Sequence, residues 1–259
     1  VLDELFAGSI ADAQRRRENV SLERVEKAAL SQTEALNALD FLAPGAQIKI
    51  LAEVKRASPS RGQMAEIPDP AALAKIYAEN GASAISVLTE ERKFKGSLED
   101  LISVRANVEV PLLRKDFIAN EYQILEARAA GADIILLIVA GLPQKDIERL
   151  KRFTEELGMT AFVETHSEDE LKRALDVDTR MVGINARDLS TFETDRNLFG
   201  KLVHLIPENV IKVAESAVRN ADDVAHYRAA GADVALVGEA LVTNDPAAML
   251  QSFLAAGKS

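Results

Sequence analysis

The sequence predicts an α/β fold in which eight parallel strands alternate with helices and close into a single barrel behind an N-terminal helical extension. Two observations carry this prediction. Eight short aliphatic runs begin 21 to 35 residues apart, with amphipathic stretches between them. Several of these stretches end in glycine, which commonly supplies the left-handed residue that ends a helix. Eight such units with nearly continuous apolar strands favour a closed parallel barrel over an open sheet.

The N-terminal part of the chain is predicted to be helical. Apolar residues recur at near-helical spacing from Leu2 to Ala13, and Ser21 is placed to cap a second helix. No stretch is typical of an interdomain linker. We therefore expect one domain, with N-terminal helices in residues 1–45 and the barrel in residues 46–259.

The elements of the barrel follow in order along the chain. The predicted strands are 48–54, 83–88, 110–114, 133–139, 160–164, 181–185, 210–214 and 234–238. The predicted helices are 70–80, 120–130, 144–157, 167–177, 220–230 and 246–256. In this architecture the functional site lies at the C-terminal ends of the strands. The polar residues that follow each strand are therefore the candidates for chemistry.

Composition excludes several functions. The chain has 41 acidic and 31 basic residues, a net charge of −10, which argues against non-specific nucleic-acid binding. It has no cysteine and only three scattered histidines, so no disulfide, thiolate centre or metal site is predicted. The longest apolar run, residues 134–142, is about half of the ~20 residues that a membrane span needs. We expect a cytoplasmic protein that binds neither a membrane nor a nucleic acid.

Charged residues gather at the predicted strand ends. Glu53 and Lys55 are two residues apart and so share one face of the first strand. Asn185 and Arg187 repeat this spacing at the sixth strand. The charged residues at three other strand ends are Lys115, Glu164 and Glu215. A structural layer of salt bridges is the alternative, but burying so many charges without a use costs several kcal/mol each unless all are paired.

The ends of strands seven and eight are suited to an anion. The small residues Ser216, Ala217 and Gly238 follow these strands, and Glu239 comes next. Exposed backbone N–H groups there can bind phosphate. Gly238 is expected to let the backbone approach the phosphate closely, and the Glu239 carboxylate must then point away from it.

Five segments at predicted strand ends carry a family resemblance. They are Ile50–Ser60, Val87–Glu90, Leu113–Phe117, Gly183–Leu189 and Val213–Ser216. Together they resemble, in order, the motifs of the indole-3-glycerol-phosphate synthases. The resemblance implies a phosphate-binding TIM barrel of tryptophan biosynthesis. It also implies the conversion of 1-(2-carboxyphenylamino)-1-deoxyribulose 5-phosphate to indole-3-glycerol phosphate, carbon dioxide and water, with no cofactor and no metal.

The resemblance also implies roles for the charged residues. Ring closure needs a proton donor, and the later dehydration needs a base on the anilinic N–H. By similarity, Lys115 is the general acid and Glu164 the general base. Lys55 is either a second acid or the anchor of the substrate carboxylate, and Glu53 orients the lysines. Neighbouring cations are expected to lower a lysine pKa. The implied polar rim is completed by Asn185, Arg187 and Glu215.

The resemblance extends to the substrate pocket. Ser58 and Pro59 are expected on the first βα loop as a lid, and Ser216, Ala217, Gly238 and Glu239 at the phosphate. The residues matching the ring pocket, each of which is equally compatible with plain core, are Phe94, Phe117, Leu136 and Leu189.

Three further residues carry specific expectations. Ala217 stands where the family usually has glycine, which costs roughly 1 kcal/mol if the position needs a positive φ. Asp116 is expected to brace a neighbouring residue. His166 is expected at the surface or at a helix entry.

Two other functions predict different residues from those found in this chain. A related barrel isomerase predicts an Asp/Cys acid–base pair, and this chain has no cysteine. A catalytically silent ligand-binding barrel predicts the loss of Lys115 or Glu164, and both are present. The expected partner is a small phosphorylated substrate. We expect a monomer, with other tryptophan-pathway enzymes as candidate protein partners.

Overall fold

Eight parallel strands form a closed barrel in the computed structural model of the protein, which describes residues 1–258. Each strand pairs with the next in chain order, and the last closes on the first with Ala52 opposite Val237. The strands are β1 Lys49–Val54, β2 Ala84–Leu88, β3 Leu112–Lys115, β4 Ile134–Ile138, β5 Thr160–Thr165, β6 Met181–Asn185, β7 Ile211–Glu215 and β8 Val234–Val237. The predicted fold class is confirmed.

Helices surround the barrel and precede it. They are α1 Leu2–Asn19, α2 Leu22–Ser31, α3 Ala38–Phe41, α4 Pro70–Glu79, α5 Leu98–Arg105, α6 Glu121–Ala129, α7 Gln144–Glu156, α8 Glu168–Asp176, α9 Leu198–Leu202, α10 Ala221–Ala230, α11 Glu239–Val242 and α12 Pro246–Ala256. Short 3-10 turns follow β4 and α9. A two-stranded hairpin of Ala57–Ser58 with Gly62–Gln63 follows β1.

The apolar periodicity of the sequence predicts the long helices but not the short ones. The N-terminal helices and all six predicted barrel helices are present, and Ser21 caps α2 by accepting a hydrogen bond from the Arg24 N–H. The patterns missed α5, α9 and α11, and also the four-residue α3 in the N-terminal part. Helices α9 and α11 are too short for a period to emerge, and α5 exposes half of Ile102, which blurs its apolar face. No helix within residues 1–258 has both the length and the apolar character that a membrane crossing requires.

The core lies between the barrel strands and the outer helices as well as inside the barrel. Every residue of β2 and β4 is buried, as expected for strands covered on both faces. Tyr77 of α4 is fully buried, and its hydroxyl donates to the backbone carbonyl of Glu53, 2.9 Å away. This bond ties an outer helix to the C-terminal end of β1.

The N-terminal helices pack against one side of the barrel. Helix α2 packs on α6 through a small apolar cluster that includes Val25 and Leu125. Helix α1 lies near the strand ends, where Phe6 meets the Phe117 ring edge-on at 5.6 Å between centroids. Arg16 of α1 pairs with Glu126 of α6 at 2.6 Å. The extension is therefore held by both apolar and charged contacts.

Asp116 anchors α1 to the barrel. Its carboxylate accepts hydrogen bonds from Ser9 of α1 at 2.7 Å, from Thr89 at 2.6 Å and from the Phe117 N–H at 2.8 Å. It also pairs at 3.2 Å with Arg114, a guanidinium with no exposed surface. The bracing role expected for Asp116 is what the structure shows.

Replacing Asp116 is expected to destabilise the fold strongly. Asp116→Ala leaves the buried Arg114 without this partner, and breaking a buried ion pair from one side costs about 3–5 kcal/mol. Urea unfolding followed by circular dichroism measures the loss. Asp176→Ala, an exposed change on α8, is the matched control and should lie within about 0.5 kcal/mol of the parent. Equal stability of the two variants would contradict the anchoring role.

Candidate active site

Every residue predicted for the site lines one of two adjoining cavities at the C-terminal ends of the strands. The first cavity holds about 900 Å³, and its predicted members are Glu53, Lys55, Ser58, Pro59, Phe94, Lys115, Phe117, Leu136, Glu164, Asn185, Arg187, Leu189, Ser216 and Glu239. The second cavity holds about 630 Å³ and adds Glu215, Ala217 and Gly238. The cavities share Glu53 and both lysines. One barrel mouth thus brings all of these side chains together.

Glu53 is the centre of the polar groups. Its side chain is 2% exposed and accepts a hydrogen bond from Ser86 at 2.7 Å. Lys115 lies 3.0 Å from one carboxylate oxygen and Lys55 lies 3.5 Å from the other. Although burial alone would raise it, the pKa of Glu53 is lowered because these two ammonium groups and Ser86 favour the charged form. Glu53 therefore stays ionised between two cations.

The two lysines differ in acidity. Burial lowers the pKa of Lys55, and the nearby charges of Lys115 and Arg187 also act in that direction. Burial has the same effect on Lys115, but the carboxylates of Glu53, Glu215 and Glu164 outweigh it and raise the pKa of Lys115. The expectation that cations lower a lysine pKa is therefore met at Lys55 and wrong at Lys115, which faces more carboxylates than cations.

Glu164 and Glu215 form a coupled carboxyl pair inside the barrel. Both side chains are buried, and burial together with the charge of Glu164 raises the pKa of Glu215. The pKa of Glu164 is lowered despite burial, because Glu215, His166 and Lys115 favour its charged form. The pKa values of the two carboxyl groups therefore separate, and Glu164 is the more acidic of the pair. Glycine at 183 is required here, since an added Cβ would lie 2.1 Å from a Glu215 oxygen.

Asn185 and Arg187 lie side by side at the end of β6. The Asn185 side-chain oxygen accepts hydrogen bonds from the Ser216 hydroxyl at 2.7 Å and from the Arg187 N–H at 3.0 Å. The Arg187 guanidinium donates to the Phe192 carbonyl at 2.8 Å. Within residues 1–258 it forms no ion pair with a carboxylate. Its charge is therefore open to an anionic ligand.

The end of β7 adopts an unusual backbone. Ser216 and Ala217 both have left-handed φ values, 68° and 61°. Among the described residues, the N–H groups of Ala217 and Val218 make no hydrogen bond. The Ser216 carbonyl accepts a bond from the Tyr227 hydroxyl at 3.0 Å, which fixes the turn. Unbonded N–H groups on a fixed turn that lines the second cavity are suited to an oxyanion.

Gly238 has a further reason to be glycine, besides the close approach to a phosphate that the sequence suggested. Its φ is −126°, an ordinary value. An added Cβ would lie 3.0 Å from a Glu53 oxygen and 3.3 Å from Cε of Lys55. The missing side chain therefore makes room for the Glu53–Lys55 pair. The neighbouring Glu239 carboxylate is paired at 2.9 Å with Arg61 of the β1 loop.

An apolar wall stands opposite the charged groups. Phe94 and Phe117 lie 6.0 Å apart between ring centroids, and Leu136 and Leu189 line the same cavity. Ser58 accepts a hydrogen bond from the Arg61 N–H at 3.2 Å, which shapes the β1 hairpin over the cavity. The lining residues that the sequence analysis did not assign to the site include Leu2, Leu5, Val218, Arg219, Phe192 and Thr194. No motif marks these positions.

His166 lies next to the charged groups. It is at a helix entry, as expected, with its backbone N–H donating to Glu170 of α8 at 3.0 Å. The alternative of a surface position is wrong, because only 10% of its side chain is exposed. Its Nε2 atom faces Glu164 at 3.4 Å.

Fold and site together define a (β/α)8-barrel with an acid–base centre at its mouth. The sequence matches the family model described as "Indole-3-glycerol phosphate synthase" over residues 2–253. The chain belongs to the indole-3-glycerol phosphate synthase family.

Relatives agree with this family placement, and a solved structure agrees with the fold. An indole-3-glycerol phosphate synthase of Leifsonia xyli subsp. xyli is 62% identical over 98% of this chain and 97% of its own length. One from Mycolicibacterium smegmatis is 51% identical over 99% and 94%. A structure of 3-hexulose-6-phosphate synthase from Salmonella typhimurium superposes with a TM-score of 0.63 at 12% identity, covering 81% of this chain and 98% of that one. At that identity the superposition supports the fold alone.

Replacing Ala217 with glycine is expected to preserve or raise stability. A left-handed L-residue costs about 1–2 kcal/mol, whereas glycine loses about 0.5–1 kcal/mol through its extra freedom in the unfolded chain. Ala217→Gly should therefore be neutral or up to about 1.5 kcal/mol more stable in urea unfolding. The matched control is Ala225→Gly on an exposed face of α10, which should lose about 1 kcal/mol. Equal losses at both positions would show that Ala217 is unstrained.

Proposed function

We propose that this protein converts 1-(2-carboxyphenylamino)-1-deoxyribulose 5-phosphate into indole-3-glycerol phosphate, carbon dioxide and water. It is thus a decarboxylating lyase of tryptophan biosynthesis. The observation that carries the proposal is one cavity in which Lys55 and Lys115 meet an ionised Glu164 beside an apolar wall. The reaction needs acids, a base and a surface for an aromatic ring, and this cavity supplies each of them.

Ring closure uses a cationic donor at the substrate ketone. As the aromatic carbon attacks, charge develops on the ketone oxygen, and Lys115 donates a proton to it. The raised pKa keeps Lys115 protonated before each turnover. Glu53 holds the ammonium group through its 3.0 Å contact. A positioned general acid of this kind contributes typically 10²–10⁴-fold to the rate.

Decarboxylation and dehydration follow ring closure. Loss of carbon dioxide restores the aromatic ring, and the hydroxyl then leaves as Glu164 removes the anilinic proton. Glu164 is suited to this role because its lowered pKa leaves it ionised. The lowered pKa of Lys55 makes it the stronger acid of the two lysines, which supports its assignment as the acid for the leaving hydroxyl. Asn185 and Glu215 both favour the charged form of this base.

The two ends of the substrate are bound by different groups. The unpaired guanidinium of Arg187 binds the carboxylate, since it lines both cavities. The free N–H groups of Ala217 and Val218 bind the phosphate, with Ser216, Gly238 and Glu239 around it. The ring lies against Phe94 and Phe117, with Leu136 and Leu189 completing the wall. Ser58 and Pro59 of the β1 hairpin cover the substrate.

The proposal extends to the oligomeric state and the cellular location of the enzyme. We propose that the chain acts as a monomer in the cytoplasm on a free phosphorylated metabolite. All the proposed site residues come from one chain, which supports an independent site. Size-exclusion chromatography with light scattering tests the oligomeric state directly.

The activity has a direct test. The purified protein is mixed with the carboxyphenylamino substrate, and the appearance of indole-glycerol fluorescence is followed with time. Steady emission growth, with one carbon dioxide released per indole formed, is expected. Substrate left unchanged by a folded protein would rule the proposal out.

Lys115→Ala is expected to abolish ring closure while the substrate still binds. Loss of the acid should lower kcat by 10²–10⁴-fold, whereas the substrate retains its proposed contacts with Arg187 and the β7 turn. Fluorescence turnover and equilibrium dialysis with the substrate measure the two effects. Lys145→Ala, an exposed change on α7, is the control and should behave as the parent. Turnover above a tenth of the parent value would remove Lys115 from this role.

Glu164→Gln is expected to slow dehydration more than binding. Glutamine keeps the shape of the side chain but cannot take a proton. In single turnover, the ring-closed and decarboxylated intermediate should accumulate, with kcat reduced by 10²–10⁴-fold. Glu156→Gln on α7 serves as control. A raised KM with unchanged kcat would indicate a binding role instead.

A further inference from the structure

His166 lies between two carboxylates at the junction of β5 and α8. Its Nδ1 atom is 3.1 Å from Oε1 of Glu170, and its Nε2 atom is 3.4 Å from Oε2 of Glu164. The same Glu170 oxygen accepts the His166 backbone N–H at 3.0 Å. Glu170 therefore holds both the backbone and the ring of residue 166.

The partners of the ring determine where its protons lie. A carboxylate at Glu170 can only accept, so Nδ1 carries a hydrogen. The other nitrogen, Nε2, is buried and has no hydrogen-bond partner among the described residues. It faces the ionised Glu164. A neutral ring would direct a lone pair at that carboxylate, whereas an imidazolium directs an N–H at it, which is the favourable charge-assisted arrangement.

The charges around the ring favour the imidazolium. Glu164 faces it from β5, Glu170 from α8, and Asp188 from the segment after β6. Asp3 of α1, together with Val1 and Arg187, lines the cavity that His166 shares on its outer side. Burial alone would lower the pKa of His166, but the three carboxylates outweigh it and raise that pKa.

We propose that His166 is a positioning residue for Glu164, held by Glu170 as an imidazolium that keeps the neighbouring carboxylate ionised and oriented. This role in turnover rests on the proposed function, in which Glu164 is the base. An opposite charge at this distance lowers a carboxyl pKa. Removing the cation therefore raises the pKa of Glu164, and the base becomes protonated, and inactive, at a higher pH.

The charge state can be measured without any turnover. The chain has three histidines, so the imidazole nitrogens of the folded enzyme give few signals, and a His166→Gln spectrum assigns the relevant one. We expect both nitrogens of His166 to be protonated at pH 7, with Glu164→Gln and Glu170→Gln each lowering its midpoint. His226, on α10, is the internal reference and should not move. The proposal is overturned if the His166 ring is neutral at pH 7, or if neither substitution changes its titration midpoint.

The pH profile separates positioning from simple packing. Glutamine at 166 keeps a donor but not a charge, so His166→Gln should move the acidic limb of kcat upward by about one pH unit. Activity on that limb should then fall about tenfold, while kcat well above it stays within a few-fold of the parent. His166→Leu should show the same shift with a larger loss at every pH. His226→Gln is the matched control.

Two outcomes distinguish this inference from the proposed function. A uniform loss of kcat with an unmoved acidic limb, in the pH range where circular dichroism shows an intact fold, overturns the positioning role. If the parent enzyme does not turn over the substrate, the proposed function fails. In that case the nitrogen spectra still decide whether His166 and Glu164 form the charged pair.

Discussion

The pairing of one buried carboxylate with two ammonium groups is the constraint on which the barrel mouth depends. Glu53 is almost inaccessible to solvent, and an isolated charge there would be costly. Lys55 and Lys115 offset that cost from different strands, and Ser86 adds a hydrogen bond. Gly238 leaves the space that this arrangement needs. The geometry of the proposed acids follows from satisfying a buried charge.

Electrostatic interactions also set the ionisation of a second group of carboxylates in the cavity, Glu164 and Glu215. The charge of Glu164 and burial both disfavour the ionisation of Glu215, so the pKa values of the two carboxyl groups separate. Glu53 on the one hand and the Glu164–Glu215 pair on the other both raise the pKa of Lys115. The proposed acid and base are therefore electrostatically coupled through one lysine. Substituting any of these residues is expected to change the protonation of the others.

The sequence predicted the architecture well because the barrel repeats one simple pattern. Apolar strands and glycine-terminated helices indicated eight units, and the two-residue spacing of Glu53 and Lys55 placed both on one face. The order of the motifs along the chain then predicted that distant segments meet at one rim of the barrel. Short helices such as α11 were missed because four residues show no period. The strand periodicity carries no information about them.

The finer features of the site depend on three-dimensional packing. The contribution of Leu5 to the cavity depends on how α1 docks, and the apolar spacing of α1 indicates only that one face is buried. The opposite pKa directions of the two lysines depend on how many carboxylates surround each ammonium group. His166 was expected at the surface or a helix entry, because nothing local indicates that its ring lies between Glu164 and Glu170. The electrostatic interactions between residues that are distant along the chain are the part of this site that sequence motifs do not predict.

The adjacency of Lys115 and Asp116 limits how this enzyme can change during evolution. One residue faces the reaction cavity, and the next anchors α1 through Ser9 and Arg114. A one-residue insertion or deletion at the end of β3 would displace both side chains, so the cavity and the docking of α1 would be disturbed together. We therefore expect such a change in length to reduce both the stability of the fold and the activity proposed for the site.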